Sequence, residues 1–515
     1  MKTLSAFVYA MLSGAVVSAQ APATDGAACQ RLATSLALPN TTITSAQEVA
    51  AGQFVPPAAP GGRGGGAGAA QAFADLPAFC RVAATIKPST DSDIKAEIWL
   101  PLSGWNGKFQ QVGNGGWAGS IQYGPLAAAL RRGYAAASTD TGHVGGNAQF
   151  ALGHPEKLID FGYRAVHETA VQSKATIAAY YGNAPRLSYY NGCSNGGRQG
   201  FQEAQRYPQD FDGIIAGAPA YDWTNLSIQL VTIAQANLSD PASTIPPGKY
   251  PVLHQAAVEA CDALDGLKDG LIGDPTRCRF DPKVTECKGA DGPSCLTTAQ
   301  VEAAKKIYTA VKDPKTGRQI YPGLEPGSEL QWAGQVGGPK PFGVADDLFK
   351  YVVFQDPGWD FRSLDLSKHV ELARKADNGT LSAASPNLKE FVGRGGKLLM
   401  YHGWADQIVA ARTSVEYYNN VAKAMGRSQT DNSVRLFMVP GMAHCGGGAG
   451  PNSFDMVTAL EQWKENGKAP AEIVASHLTD GKVDRTRLLC PYPQVAQYKG
   501  SGSTDQAENF VCKMP

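Results

Sequence analysis

The chain has 515 residues, of which 43% are hydrophobic and 18% are charged, a composition typical of a globular protein with a large core. Lysine plus arginine and aspartate plus glutamate number 46 each, so the chain has no excess of positive charge for a polyanionic partner. Nucleic-acid binding is therefore not expected.

The N-terminus and the cysteines predict export. Residues 1–19 combine Lys2, an apolar stretch and a small residue at Ala19, the pattern of a secretory signal cleaved after Ala19. The alternative is an apolar strand of a cytosolic protein. No other apolar run is long enough to cross a bilayer, so no membrane partner is expected. Ten cysteines without C-x-x-C spacing favour disulfides over zinc, and we expect an extracellular or periplasmic protein.

The first part of the mature chain predicts a loop and then strands. Residues 56–66 are almost all Pro, Gly and Ala, bury little, and predict a mobile loop whose ends a Cys29–Cys80 bridge would tie together. Alternating residues at 94–100 predict antiparallel strands.

A glycine-rich segment, residues 113–119, follows a predicted buried strand at 107–112. Glycines let backbone amides approach an anion, as the loop after the third strand does in α/β-hydrolases, although the segment is also consistent with a flexible turn. Gly115 and Gly116 are therefore candidate donors to an oxyanion, with the side chain of Asn114 as an alternative donor.

Helical and strand patterns then alternate at 126–132, 134–139, 163–181, 187–190, 198–206 and 213–217. Repeated strand–helix units predict an α/β fold with a parallel sheet covered on both faces. The alternation stops after residue 220 and resumes near residue 396. We therefore predict an α/β-hydrolase core in two parts, 20–220 and 393–515, with residues 221–392 inserted as a lid domain. A tandem domain is the alternative.

The strongest chemical motif surrounds Ser194. An apolar aromatic run, residues 187–190, ends in Gly192-Cys193-Ser194-Asn195-Gly196, and a helix-compatible stretch follows at once. Strand, sharp turn and helix are the context in which G-x-S-x-G forms a nucleophile elbow. Ser194 is the candidate nucleophile, and the backbone N–H of Asn195 is the first candidate oxyanion donor. In a chain with 58 glycines the pattern also arises by chance, so the other catalytic groups decide its weight.

A candidate acid and a candidate base follow later in the chain. Asp406 comes just after a predicted strand at 397–402, and His444 just after another at 434–439. Open parallel sheets bind ligands at the carboxyl ends of their strands. The order Ser194, Asp406, His444 is that of α/β-hydrolases, with His444 as proton acceptor and Asp406 fixing its tautomer. Seven other histidines compete for the role of base.

Two cysteines flank the candidate catalytic residues. Cys193 precedes Ser194 and Cys445 follows His444, so a bridge between them would hold nucleophile and base together. At this point the chain resembles the tannase and feruloyl esterase family, whose hallmark is a Cys-Ser, Asp and His-Cys arrangement. The resemblance covers nearly the whole mature chain and includes Gly113-Asn114-Gly115-Gly116, Ser138-Thr139-Asp140-Thr141-Gly142-His143, Gly192-Cys193-Ser194-Asn195-Gly196-Gly197-Arg198 and Gly441-Met442-Ala443-His444-Cys445.

The resemblance implies a secreted carboxylic ester hydrolase with an α/β-hydrolase core and a lid. It further implies a small aromatic ester as substrate, free or attached to plant cell-wall polysaccharide. Feruloyl-type esters rank first, galloyl esters second and terephthalate monoesters third, because the sequence singles out no acidic partner for a tannin and no cation beyond Lys350 and Arg362 for a terephthalate carboxylate. The alternative outside enzymes is a catalytically silent binding protein of the same fold.

The aromatic residues of the predicted lid are candidates for walls of an aryl site, although most such rings are also what a small lid core would need. They are Trp223, Trp332, Phe342, Phe349, Tyr351, Phe354, Trp359 and Phe361.

An acidic loop in the predicted lid places Asp262, Asp265 and Asp269 within eight residues. Carboxylates and carbonyls on a glycine-bent loop suit Ca²⁺, and by composition a solvated acidic turn fits equally well. The resemblance implies a structural Ca²⁺ held by these three side chains and by the carbonyls of Leu267 and Leu271. It also implies the disulfides Cys261–Cys278, Cys287–Cys295 and Cys490–Cys512.

Overall fold

The computed structural model describes residues 25–57, 71–334 and 338–515. The predicted signal segment at 1–19 and most of the predicted loop at 56–66 lie outside these ranges. Within them, every helix is too short or too polar to serve as a membrane span.

Fifteen strands are present in the described residues. In chain order they are β1 (Thr41–Val49), β2 (Phe79–Ile86), β3 (Ile94–Pro101), β4 (Lys108–Val112), β5 (Ala135–Thr139), β6 (Leu187–Cys193), β7 (Gly213–Gly217), β8 (Val311–Lys312), β9 (Gln319–Tyr321), β10 (Lys397–Gly403), β11 (Val434–Val439), β12 (Ile473–Thr479), β13 (Lys482–Leu489), β14 (Val495–Tyr498) and β15 (Phe510–Lys513).

The helices of the same ranges are α1 (Gly26–Ser35), α2 (Tyr123–Arg131), α3 (Pro155–Ile159), α4 (Ala165–Tyr181), α5 (Asn195–Arg206), α6 (Trp223–Leu238), α7 (Tyr250–Cys261), α8 (Thr298–Tyr308), α9 (Gly343–Asp347), α10 (Leu366–Asp377), α11 (Lys389–Gly393), α12 (Arg412–Met425), α13 (Arg427–Ser433) and α14 (Met456–Asn466). Two π-helical turns, Asp160–Arg164 and Leu348–Val353, and several single 3₁₀ turns complete the secondary structure.

Nine strands form one mixed sheet in the order β1-β2-β3-β5-β4-β6-β7-β10-β11. The pairs from β1 to β5 are antiparallel, and the pairs from β5 through β11 are parallel. This is the α/β class expected from the alternating patterns. The strand β1 was not predicted, because this edge strand is largely polar and exposed and shows no apolar alternation.

The central strands are buried on both faces. β4, β5 and β7 have no exposed residue, as expected for parallel strands covered by helices on each side. Consecutive residues such as Leu398 and Leu399 belong to two different apolar clusters, one on each face of the sheet. Side chains alternate across a strand, so both faces contribute to the core.

Residues 218–396 connect β7 to β10, although these two strands pair directly in the sheet. The connection contains α6 to α11, and its buried side chains form a third apolar cluster around Trp332 and Phe349. Trp117 and Phe161, which come from loops of the sheet region, belong to the same cluster. The connection therefore packs over the carboxyl ends of the central strands β4, β6 and β10.

Candidate active site

Ser194 occupies a strained turn between β6 and α5. Its backbone has φ +62° and ψ −122°, a conformation that residues other than glycine rarely adopt. Gly192 is required by close approach, because a Cβ on it would lie 2.6 Å from the backbone of Gly196. A Cβ on Gly196 would lie 3.2 Å from the backbone of Asn114, which is a tight contact. The G-x-S-x-G motif thus forms the sharp strand-to-helix turn that the sequence predicted.

Asp406 and His444 lie on the loops that follow β10 and β11. Nδ1 of His444 lies 2.7 Å from Oδ2 of Asp406, and its Nε2 lies 2.7 Å from Oγ of Ser194. The two loops approach closely at Gly403, where a Cβ would collide with the carbonyl oxygen of Met442. The structure therefore brings together the three predicted side chains in the hydrogen-bonded order Asp–His–Ser.

Asp406 is buried and saturated with hydrogen bonds. Its Oδ1 accepts from the backbone N–H groups of Ile408 and Val409 at 2.8 and 2.9 Å, and its Oδ2 faces two imidazoles, those of His444 and His402. Burial alone would raise the pKa of Asp406, but the charge of His444 and the hydrogen bonds from both histidines hold it well below its usual range. The carboxylate is therefore ionised at neutral pH.

The contact of His402 with Asp406 was not predicted. The sequence offered only the i, i+4 spacing of the two residues across the end of β10, which has no fixed meaning outside a helix. The other six competing histidines lie elsewhere: Nε2 of His143 donates to the carbonyl oxygen of Trp117, His369 accepts from the N–H of Asp365, and His154, His167, His254 and His477 each pair with a carboxylate.

A disulfide joins the residues next to the serine and the histidine. Cys193 and Cys445 are bonded, with their Cα atoms 6.0 Å apart. The other bridges are Cys29–Cys80, Cys261–Cys278, Cys287–Cys295 and Cys490–Cys512. These are the five predicted pairs, and none of the described cysteines is free.

Two of the three candidate oxyanion donors line the same cavity as Ser194. Gly115 and Gly116 line this cavity, and Asn195 opens α5, where first-turn N–H groups have no partner within the helix. The side chain of Asn114 is a poorer candidate than expected, because its Nδ2 donates to the carbonyls of Ser120 and Thr139. The assignment to Asn195 with Gly115 or Gly116 stays a prediction.

The cavity beside Ser194 and His444 has a volume of about 490 Å³. Its walls are mostly apolar, and among the described residues no lysine, arginine or carboxylate lines it. The connection between β7 and β10 contributes Ala220, Trp223, Leu226, Leu230, Phe342 and Val344. Besides Ser194 and His444, the wall includes the polar residues Asn114, Asn191 and Tyr401.

Two of the eight aromatic candidates, Trp223 and Phe342, line the cavity. The other six pack within or against the apolar cluster of the connection. Both basic candidates are engaged elsewhere, Lys350 with Asp346 and Arg362 with Asp360.

The acidic loop carries the predicted calcium ligands on and after a 3₁₀ turn. Asp262 accepts from the N–H of Gly270, and one oxygen of Asp269 lies 2.5 Å from Arg487. Burial and the charges of Asp269 and Asp262 raise the pKa of Asp265. Hard oxygen donors that need a counter-charge fit Ca²⁺ in their chemistry.

The described residues contain one tighter group of metal-ligand side chains, in which the donor atoms of His167, Glu203 and Asp210 lie within 4.8 Å of one another. Asp210 is already paired with His167 and with Lys174. Burial and the neighbouring Asp210 raise the pKa of Glu203 well above its usual value, which favours its protonated form. The ion pair of Asp210 with Lys174 and the neutral form of Glu203 balance the charge of this group within the protein.

The fold and the site define a hydrolase of the α/β class with a serine at the elbow. The family model for tannase and feruloyl esterase matches residues 80–513, and the chain belongs to this family. It is a carboxylic ester hydrolase.

Similar sequences and similar solved structures agree with this family assignment. An uncharacterised esterase of Xanthomonas campestris is 40% identical over 95% of this chain and 92% of its own. A probable feruloyl esterase B of Aspergillus clavatus is 36% identical, with 84% and 86% covered. The crystal structure of feruloyl esterase B from Aspergillus oryzae superimposes with a TM-score of 0.89 at 32% identity, over 95% of this chain and all of that one. Tannin acyl hydrolase from Aspergillus niger shares the fold, with a TM-score of 0.76 at 23% identity and 95% of each chain covered.

Proposed function

We propose that the protein is a secreted serine esterase that hydrolyses esters of aromatic carboxylic acids, with feruloyl-type esters preferred. Ser194 acts as nucleophile, His444 as general base and then general acid, and Asp406 as the group that orients His444. The observation that carries the proposal is the apolar cavity of about 490 Å³ that opens onto both Ser194 and His444.

The hydrogen bonds of the site support a two-step reaction. Oγ of Ser194 attacks the ester carbonyl carbon while Nε2 of His444 takes its proton, and the N–H groups of Asn195 and of Gly115 or Gly116 stabilise the oxyanion. When the intermediate collapses, the bond to the alcohol oxygen breaks and His444 gives that oxygen its proton. Water then attacks the acyl-enzyme by the same route and releases the acid and Ser194.

The lining of the cavity supports an aryl acyl group. Trp223 and Phe342 offer flat faces, and Leu226, Leu230 and Val344 offer apolar surface, so a planar ring gains burial and ring contacts. A terephthalate monoester would bury a carboxylate in a wall whose described residues include no cation, which is costly. A galloyl ester would bring three hydroxyls to a wall with few polar partners. Both therefore rank below feruloyl esters.

The substrate assignment is tested by kcat/KM for methyl ferulate, methyl gallate, a terephthalate monoester and methyl butyrate, with Ser194→Ala as the blank. We expect ferulate to be fastest, and a clear preference for the butyrate would overturn the aryl site. Turnover of any aryl ester also excludes a silent binding protein.

A matched pair of variants locates the aryl site. Phe342→Ala should raise KM for the ferulate more than for the butyrate, because Phe342 lines the cavity. Phe354→Ala removes a similarly half-buried ring of the same connection that stacks on Trp359 instead, and it should leave this ratio unchanged. Equal effects of the two variants would contradict the placement of the ring.

We further propose that the connection between β7 and β10 acts as a lid over the substrate, and that its acidic loop binds a structural Ca²⁺ through Asp262, Asp265, Asp269 and the carbonyls of Leu267 and Leu271. The ion would supply positive charge to three carboxylates, of which Asp269 is paired with Arg487. The five disulfides support an oxidising compartment. Secretion is tested by N-terminal sequencing of exported protein, which should begin at Gln20.

A further inference from the structure

A second imidazole shares the catalytic carboxylate. His402, at the end of β10, is fully buried, and its Nε2 lies 3.0 Å from Oδ2 of Asp406, the same oxygen that faces His444. On the opposite side of its ring, Nδ1 lies 2.7 Å from Oγ of Ser414 on α12. The chain of contacts thus runs Ser414, His402, Asp406, His444 and Ser194.

These contacts fix the tautomer of His402. Its Nε2 also lies 3.0 Å from the carbonyl oxygen of Val409, so both of its neighbours are acceptors without a proton to give. Nε2 must therefore carry a proton. In the neutral ring Nδ1 is then an acceptor, and the hydroxyl of Ser414 donates to it. Ser414 is fully buried, and among the described residues Nδ1 of His402 is the acceptor within reach of its hydroxyl.

We propose that His402 is a positioning residue for the proposed triad, held as the Nε2–H tautomer by Ser414, and that it sets the basicity of Asp406 toward His444. With His402 in place, Asp406 accepts two hydrogen bonds on each oxygen, which fills its acceptor sites and stops rotation of the carboxylate. The proposal rests on the assignment of Ser194, His444 and Asp406 to catalysis.

Because His402 and His444 share Oδ2 of Asp406, the direction in which the pH profile should move can be predicted. A proton donated by His402 draws negative charge from Oδ2, so Asp406 stabilises the protonated form of His444 less than an unshared carboxylate would. Removing the donor leaves more negative charge on the Oδ2 atom that faces His444. His444 then keeps its proton to higher pH. The acid limb of the kcat/KM profile reports the free enzyme's essential base. Its midpoint should therefore rise when His402 is lost.

Few other titratable groups face this network. Burial and the charges of Asp222 and Asp406 raise the pKa of Tyr321 well above its usual value, so Tyr321 stays neutral. Burial raises the pKa of Asp222 to about 6, and this group titrates in the same range. On α12, Arg412 is paired with Glu325 and keeps its charge. Because these groups are the same in every variant, they do not produce a difference between variants.

The experiment compares His402→Phe, which removes the donor, with His402→Gln, whose amide can still donate from a similar position. Rates on an aryl ester are normalised to the number of acylated serines, so loss of folded protein does not count. For His402→Phe we expect kcat to fall about 10-fold or more, from misplacement of the carboxylate. The acid-limb midpoint should rise by about 0.5 to 1 pH unit, the equivalent of one hydrogen bond. His402→Gln should restore most of both.

Ser414→Ala is the second test and decides the question if His402→Phe does not fold. It should shift the acid limb in the same direction by a smaller amount. Its matched control is Ser173→Ala on α4. This variant removes an equally buried hydroxyl that has no hydrogen-bond partner among the described residues, and it should leave the profile unchanged. An unmoved midpoint in His402→Phe or, failing that, in Ser414→Ala overturns the proposal. If Ser194→Ala retains turnover, the proposed function itself has failed.

Discussion

Removal of the Cys193–Cys445 bridge tests whether a covalent link positions the nucleophile against its base. The bridge spans 252 residues of sequence, for which the loop-entropy relation predicts a loss of about 5.5 kcal/mol in unfolding free energy. The bonded residues are direct neighbours of Ser194 and His444, whose hydrogen bond is 2.7 Å long. A displacement near 1 Å costs about 10²-fold in rate, so kcat should fall by about that factor.

The perturbation is the double variant Cys193→Ala/Cys445→Ala, and the matched control is Cys490→Ala/Cys512→Ala. The control bridge spans 22 residues and fastens the β14–β15 pair near the C-terminus, and its removal should cost about 3.4 kcal/mol. Urea denaturation measures the stability of both variants, and steady-state hydrolysis of an aryl ester well below the melting temperature measures kcat.

The two variants should separate stability from activity. Both lose stability, but only the first loses kcat while still folded. The reasoning is refuted if Cys193→Ala/Cys445→Ala keeps the kcat of the parent, or if the control loses as much activity. Either result would mean that packing of the two loops holds the serine and histidine without the bridge.

The remaining predictions concern the triad, pH and calcium. Ser194→Ala and His444→Ala should each lower kcat by about 10⁴ to 10⁶-fold with an unchanged melting temperature, and Asp406→Asn should be milder; substantial turnover by Ser194→Ala would end the assignment. Burial lowers the pKa of His143 to about 4, so the folded protein binds this proton less readily than the unfolded chain. As far as this group is concerned, the free energy of unfolding has its full value above pH 6.5 and declines by about 3 kcal/mol as the pH falls to 4. His143→Gln should remove this part of the slope in pH-dependent denaturation. Chelation should lower the melting temperature more than the initial rate, and Asp265→Asn should already be destabilised and insensitive to the chelator; equal sensitivity of parent and variant would argue against the ion in this loop.

The three proposed catalytic side chains come from separate loops. Ser194 follows β6, whereas Asp406 and His444 follow β10 and β11. Three independent loops would not hold 2.7 Å hydrogen bonds unless they were joined. The bridge joins the first loop to the third, and the close approach at Gly403 joins the second to the third.

The sequence by itself determined the local features. The elbow at Ser194 depends on neighbours within a few residues, because a strand, a glycine-flanked turn and a helix start are all local patterns. The strands β7 and β11 have the predicted bounds for the same reason, since short apolar runs between turns mark buried strands. The polar edge strand β1 has no such signal and was missed. Cys29–Cys80 and Cys193–Cys445 were suggested by their positions beside a loop and beside the candidate catalytic residues. The other three disulfides were accessible only through the resemblance, because ten cysteines do not reveal their pairing by spacing.

Tertiary structure alone decided which side chains line the cavity beside Ser194 and which contact Asp406. Trp223 and Trp332 look alike in the sequence, yet Trp223 lines the cavity and Trp332 is enclosed in the apolar cluster of the connection. His402 was one competitor among the histidines until folding placed it against Asp406, with Ser414 behind it. Both outcomes depend on contacts between segments distant in the chain. Local periodicity reports that a side chain is buried, but the packing of separate elements determines what it is buried against.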